Sequence, residues 1–180
     1  MDGRHTIILV GHGAVPSDAP LALVAERKSL ESGRRLHGES EMTRREAALD
    51  RTIRNWPRTE ENDPYYAGLQ ALAQRLARRL GGRRLIVAFN EFCAPSIGDA
   101  IDTAVRGGAL RVDVVTTMFT PGGAHSEHEI PELIAMARRS HPGVEIRYAW
   151  PFDLDRVADF LAEHVADLAS ELDGEAAHPA

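Results

Sequence analysis

A chain of 180 residues, 43% hydrophobic and 27% charged, has enough apolar material for one domain with a real core and too little for two comfortable ones. Its formal charge of −6 argues against a general nucleic-acid binder, which needs a concentrated basic face. A single cysteine, Cys93, excludes a disulfide framework and a thiolate metal cage, so any metal site must use histidine and carboxylates. No apolar run approaches the ~18 residues of a membrane span and no signal-peptide pattern opens the chain, so the expected location is the cytoplasm, with no membrane partner.

The first element is a strand over TIILV (6–10), a β-branched apolar run without polar alternation, as suits a strand covered on both faces. It ends in GHG (11–13). An ordinary connection would then reach a helix within a few residues, yet 50 residues run from Gly13 to Asn62. Helical spacing over Leu21–Leu30 and Thr43–Trp56, with Thr43 and Glu46 as a capping box, makes this stretch a helical insertion over one end of the sheet. Charge is uneven here: Glu26 to Arg58 holds nine Lys/Arg and six Asp/Glu, a local +3, leaving twelve basic and twenty-one acidic groups, or −9, on the rest. Such a segment suits either an anionic partner or a solvated helix face.

Asp63 and Pro64 then open a helix as N-cap and first-turn proline, with Tyr66, Leu69, Leu72, Ala73, Leu76 and Leu80 at helical spacing until Gly81-Gly82. A second strand, RLIVAF (84–89), leads through NEFCAPS (90–96) into a helix expected from Ala94 to Arg106, opened by Pro95. A third strand, VDVVTTMF (112–119), feeds PGGAHSEHE (121–129) and a helix that follows Pro131 and ends before His141. After the fourth strand, VEIRYA (144–149), Asp153 caps a helix whose apolar positions include Leu154, Val157, Phe160, Leu161, Val165 and Leu168. The tail, 174–180, reads as frayed. Strands alternating with helices predict one α/β domain over 1–173: a parallel sheet of about four strands flanked by helices, with right-handed crossovers and the insertion at 13–62.

In open parallel sheets the carboxyl ends of the strands face a common crevice. His12, Glu91 and His125 follow three strand ends and converge there, although 79 residues separate the first pair and 34 the second. Each also has a plainer reading. His12 could be a small polar residue in a tight turn, Glu91 a surface carboxylate, and Glu129 the capping partner of Ser126, a reading that Pro131 weakens by missing an interior backbone donor. His128 reads as an exposed loop histidine and Cys93 as a small buried hydrophobe. Two neutral imidazoles and a carboxylate suit a borderline divalent metal with open positions, such as cobalt, iron, nickel or zinc.

ILVGHG (8–13), FNEFCAPSIGDAI (89–101) and MFTPGGAHSEHEIPE (118–132) resemble, in that order, the motifs of the small-type CbiX/SirB sirohydrochlorin chelatases. The resemblance covers residues 6–13 and about 65–165, including WPFDLDRVADFLAEH. It implies a chelatase fold, dimerisation of such half-size chains, and insertion of Co²⁺ or Fe²⁺ into sirohydrochlorin on the cobalamin or sirohaem route. It also implies that His12 and His125 bind the metal and that Glu91 is a carboxylate of the active-site cleft. The metal is substrate, Co²⁺ or Fe²⁺ with Ni²⁺ as a further candidate, and no organic cofactor is expected.

The insertion departs from the family pattern. It could cover a tetrapyrrole whose carboxylates are drawn to Lys28, Arg34, Arg35, Arg44, Arg45, Arg51, Arg54 or Arg58, foremost Arg34, Arg35, Arg44 and Arg45, or it could adapt the site to another acceptor. The competing functions are a nickel or cobalt carrier on the same scaffold and phosphoryl transfer through His12. The latter is disfavoured because histidine phosphatases place arginine before the histidine, where Gly11 stands.

Overall fold

The computed structural model describes residues 4–39 and 41–176. Four strands, β1 (His5–Gly11), β2 (Arg84–Phe89), β3 (Arg111–Thr116) and β4 (Glu145–Tyr148), form one sheet in the order β2-β1-β3-β4. Every pairing is parallel. The apolar run of β1 is explained by its place: it has a strand on each side and is buried from Thr6 to Gly11.

Side chains alternate across this strand. Ile8 and Val10 join Ile97, Ile101, Val112, Val114, Ile130, Ile134 and Ile146, a core made with helices α4 (Ile97–Arg106) and α5 (Ile130–Ser140). Leu9, in between, joins Leu69, Ala73, Phe89 and Cys93, the core beneath α3 (Pro64–Ala77).

The expected insertion folds as two helices, α1 (Leu21–Leu36) and α2 (Arg44–Arg54), with a small core of Ala19, Val24 and Ile53. Phe92, from the loop after β2, packs into that core and so ties the insertion to a strand end. Half of the expected capping box of α2 is present: Thr43 accepts from the Glu46 N–H at 3.1 Å, while the Glu46 carboxylate accepts from Arg34 instead. α1 runs past the expected end at Leu30 because Arg27, Glu31 and Arg35 form successive i,i+4 ion pairs along it.

Other boundaries shift for identifiable reasons. α4 begins at Ile97 rather than near Pro95 because Ser96 and Asp99 form a reciprocal capping box. The third strand ends at Thr116 rather than Phe119. The helical run of α5 begins earlier than Pro131, with a π-turn over His125–Glu129 in which the Ile130 N–H reaches the His125 carbonyl. This widened turn takes the chain off the ordinary i→i−4 ladder just before Pro131, where the missing N–H would otherwise break it.

The residues fall into two compact units, Met1–Tyr148 and Ala149–Ala180, a division that a reading as one domain over 1–173 does not mark. The second unit carries α6 (Leu154–Ala176), opened by Asp153, whose carboxylate accepts from the Asp155 N–H at 3.0 Å. α6 takes in the first three residues of the expected tail, and 177–180 lie outside the described residues. Among the described residues no helix is long and apolar enough to cross a membrane.

Candidate metal centre

The ladder between β1 and β2 continues one step beyond both strands. Asn90 N–H donates to the Gly11 carbonyl at 2.9 Å and Glu91 N–H to the His12 carbonyl at 2.8 Å, which seats His12 and Glu91 side by side. His12 Nε2 lies 4.0 Å from Glu91 Oε2. His125, on the π-turn after β3, brings its ring to 4.8 Å from the His12 ring, edge to face. One donor atom from each of His12, Glu91 and His125 lies within 4.8 Å of the others. Ligands on a single ion are about 3–3.5 Å apart, so holding one requires these partly exposed side chains to close inward.

Each imidazole has one nitrogen engaged. His12 Nδ1 faces its neighbour's Gly13 carbonyl at 2.7 Å, and a carbonyl can only accept, so Nδ1 carries a hydrogen and Nε2 is the nitrogen turned to Glu91. His125 Nδ1 lies 2.8 Å from Glu129 Oε2, the carboxylate–imidazole arrangement that leaves Nε2 for a metal. Asn90 Nδ2 donates to the same Glu129 oxygen at 3.0 Å. Burial pushes the Glu129 carboxyl up, but the hydrogen bonds from Asn90 and His125, with the charges of His125 and Arg35, outweigh it and hold it below its ordinary value.

The glycines around His12 have steric duties. Gly11 faces Leu69 and the Tyr65 hydroxyl, which accepts from the His12 N–H at 2.7 Å. Gly13 has φ +95° and a Cβ there would overlap the Glu91 carbonyl oxygen. Gly13→Ala is therefore expected to lower stability by about 2 kcal/mol or more in urea denaturation. A loss under about 0.5 kcal/mol would show that the loop yields and that this close approach does not constrain the site.

Arginines of the insertion hold the Glu91 loop from outside. Arg54 donates to the Asn90 and Cys93 carbonyls at 3.0 Å each and to Asp50 at 2.7 Å. Arg58 donates to the carbonyls of Ala14 (2.7 Å), Ile53 (3.1 Å) and Phe92, and pairs with Asp63. At the centre of the turn, Phe92 has φ +55°, a strained value for a phenylalanine, beneath the Arg27 guanidinium at 5.0 Å.

Of the arginines singled out for an anionic ligand, Arg34 and Arg35 line a cleft of about 430 Å³ together with Asn90, Glu91, Glu129 and Met136. Arg34 is already matched there by Glu46, whose two oxygens accept from its Nε at 3.0 and 3.1 Å. Arg45 departs from the expectation: it borders a separate hollow and is held by Glu26 at 2.6 and 2.7 Å. Arg44 is exposed and lines neither hollow, so the four do not form one surface. Tyr65, Asn90 and the orienting role of Glu129 escape sequence reasoning; only the HSEHE spacing, which sets Glu129 one turn after His125, carried a signal.

Fold and cluster are those of an α/β protein whose donor set at the strand ends suits a divalent ion. The chain belongs to the CbiX family, whose model matches residues 60–168, beginning near the end of the insertion. It is 34% identical over 80 residues to the sirohydrochlorin ferrochelatase of Priestia megaterium, a match covering 44% of this chain and 30% of that protein. To the sirohydrochlorin cobaltochelatase of the same organism it is 37% identical over 70 residues, covering 39% and 22%. The matches span less than a third of these curated relatives' length. The crystal structure of a cobalamin biosynthesis CbiX protein from Marinobacter aquaeolei superposes with TM-score 0.56 at 18% identity, covering 93% of this chain and 98% of that one, and so shares the fold.

Proposed function

We propose that this chain is a metallochelatase that inserts Co²⁺ or Fe²⁺ into sirohydrochlorin or a related tetrapyrrole, as the names of its curated relatives suggest. The observation that carries the reading is the convergence of His12, Glu91 and His125, one ligand atom of each within 4.8 Å of the others, beside an open cleft. Ni²⁺ would suit the same donor set. A cytoplasmic location goes with this reading.

The reaction exchanges one divalent ion for the two pyrrole N–H protons of the macrocycle. Holding ion and ring face to face removes the entropic cost of their encounter. Nε2 of His12 and of His125 would supply nitrogen donors that hold the ion without the grip of thiolates. Glu91, only 15% exposed at its side chain, is the nearest base for a departing proton, which it can pass to solvent through the cleft. Arg34 and Arg35 border the cleft that a peripheral carboxylate of the ring would enter, Arg34 already matched by Glu46 and Arg35 the more exposed, while Arg44 and Arg45 do not line it. A cleft of this size covers one edge of a tetrapyrrole, so we propose that a second copy of the chain provides the other wall, as a symmetric homodimer.

The test is anaerobic incubation of the protein with sirohydrochlorin and Co²⁺ or Fe²⁺, following the absorption change. Metallation well above the protein-free rate is expected, and Glu91→Gln should slow it more than it weakens Co²⁺ binding. Rates equal to the protein-free control would overturn the reading, and Co²⁺ binding without metallation would assign a metal carrier instead.

A further inference from the structure

The insertion sends one charge into the metal centre. Arg27, buried on α1, pairs with Glu31 one turn on and reaches Asp50 of α2 at 3.2 Å, so Glu31 is fixed from behind. Glu31 in turn accepts from Nε and a terminal nitrogen of Arg35 at 3.1 and 2.8 Å. Held in this way, the Arg35 guanidinium lies 3.5 Å from Glu129 Oε1 and 3.9 Å from Glu91 Oε1. The opposite oxygen of each carboxylate faces a histidine: Glu129 Oε2 meets His125, and Glu91 Oε2 lies beside His12.

We infer that Arg35 is a resident counter-cation of the metal centre, which competes with the divalent ion for the Glu91 carboxylate while also pairing with Glu129 behind His125. The inference rests on the metal-centre reading above. A divalent ion drawn in by His12, Glu91 and His125 meets a guanidinium already beside Glu91, and like charges repel. The ion is held more loosely than its ligands alone would hold it. When it leaves for the macrocycle, Arg35 re-neutralises Glu91, which favours release over return. A protein that must give its metal away benefits from such a competitor. Because α1 belongs to the insertion, this is a device of residues 13–62 and not of the sheet.

The test uses Co²⁺ alone, titrated calorimetrically into the full chain at low and high salt. Arg35→Gln removes the charge and is expected to tighten Kd about three- to fivefold at low ionic strength, the size of one exposed to half-exposed charge pair. The gain should shrink in salt. Arg35→Lys keeps the charge and should restore a Kd near the wild-type value. Arg35 is more than half exposed, so both variants should melt like the wild type. An Arg35→Gln Kd that is unchanged or weaker, or an Arg35→Lys variant that behaves like Arg35→Gln, overturns this inference alone. Failure of the wild-type chain to bind Co²⁺ overturns both this inference and the metal centre.

Discussion

His125→Ala is expected to weaken Co²⁺ binding on the order of a hundredfold and to abolish the proposed metallation, and His12→Ala to do the same, each without unfolding the protein. Both effects follow from the donor count: the cluster offers three residues, and removing one imidazole leaves a single histidine and a carboxylate. The fold tolerates the changes because the side chains are 40% exposed at His12 and 26% at His125, so truncation leaves no closed core cavity. Glu129→Gln is the graded case. It touches no metal but replaces the carboxylate that fixes the His125 hydrogen on Nδ1, and a loss of about tenfold is expected. Titration of Co²⁺ into each variant, with circular dichroism as the folding control, checks the series. Wild-type affinity in either alanine variant would remove that histidine from the site.

The second large effect concerns stability. Arg58→Ala is expected to cost about 3–5 kcal/mol, because it leaves a buried charge without its partner. Asp63 is 1% exposed at its side chain and also caps α3 by accepting from the Tyr66 N–H at 2.9 Å. The carbonyls of Ala14, Ile53 and Phe92 lose a donor in the same step. Arg58→Lys should recover less than half of the loss, since a single ammonium cannot span the positions that a guanidinium fork reaches. Urea denaturation of the two variants measures both quantities. A cost below about 1 kcal/mol for Arg58→Ala would mean that water replaces the guanidinium and that the pair contributes little.

The sheet was legible because burial on both faces leaves an imprint in sequence: continuous apolar runs such as TIILV allow no other placement for β1. Convergence of His12, Glu91 and His125 was legible for a topological reason, since parallel strands deliver their carboxyl ends to one edge however distant they are in the chain. The work of the arginines was not. A local excess of positive charge says nothing about what each guanidinium meets, and Arg54 and Arg58 turn to backbone carbonyls up to 44 residues away. Backbone acceptors carry no sequence signal. Glu129 was obscured differently: Ser126 and Glu129 have the spacing of an ordinary capped helix start, Pro131 conflicts with it, and the chain resolves the conflict through a π-turn. Asn90 offered no cue, because its role depends on meeting Glu129, 39 positions later.

The hydrogen bonds from α2 and its following loop change what residues 13–62 are to the molecule. Donors for the carbonyls of Asn90, Phe92 and Cys93 reside in that stretch, so the strand-end loop that presents Glu91 is shaped by scaffolding from another part of the chain. A shorter protein made by excising the insertion would lose the mould against which the Glu91 loop is cast. The added helices are a strut for the reactive edge, and a minimal version of this protein has to retain them or rebuild that loop.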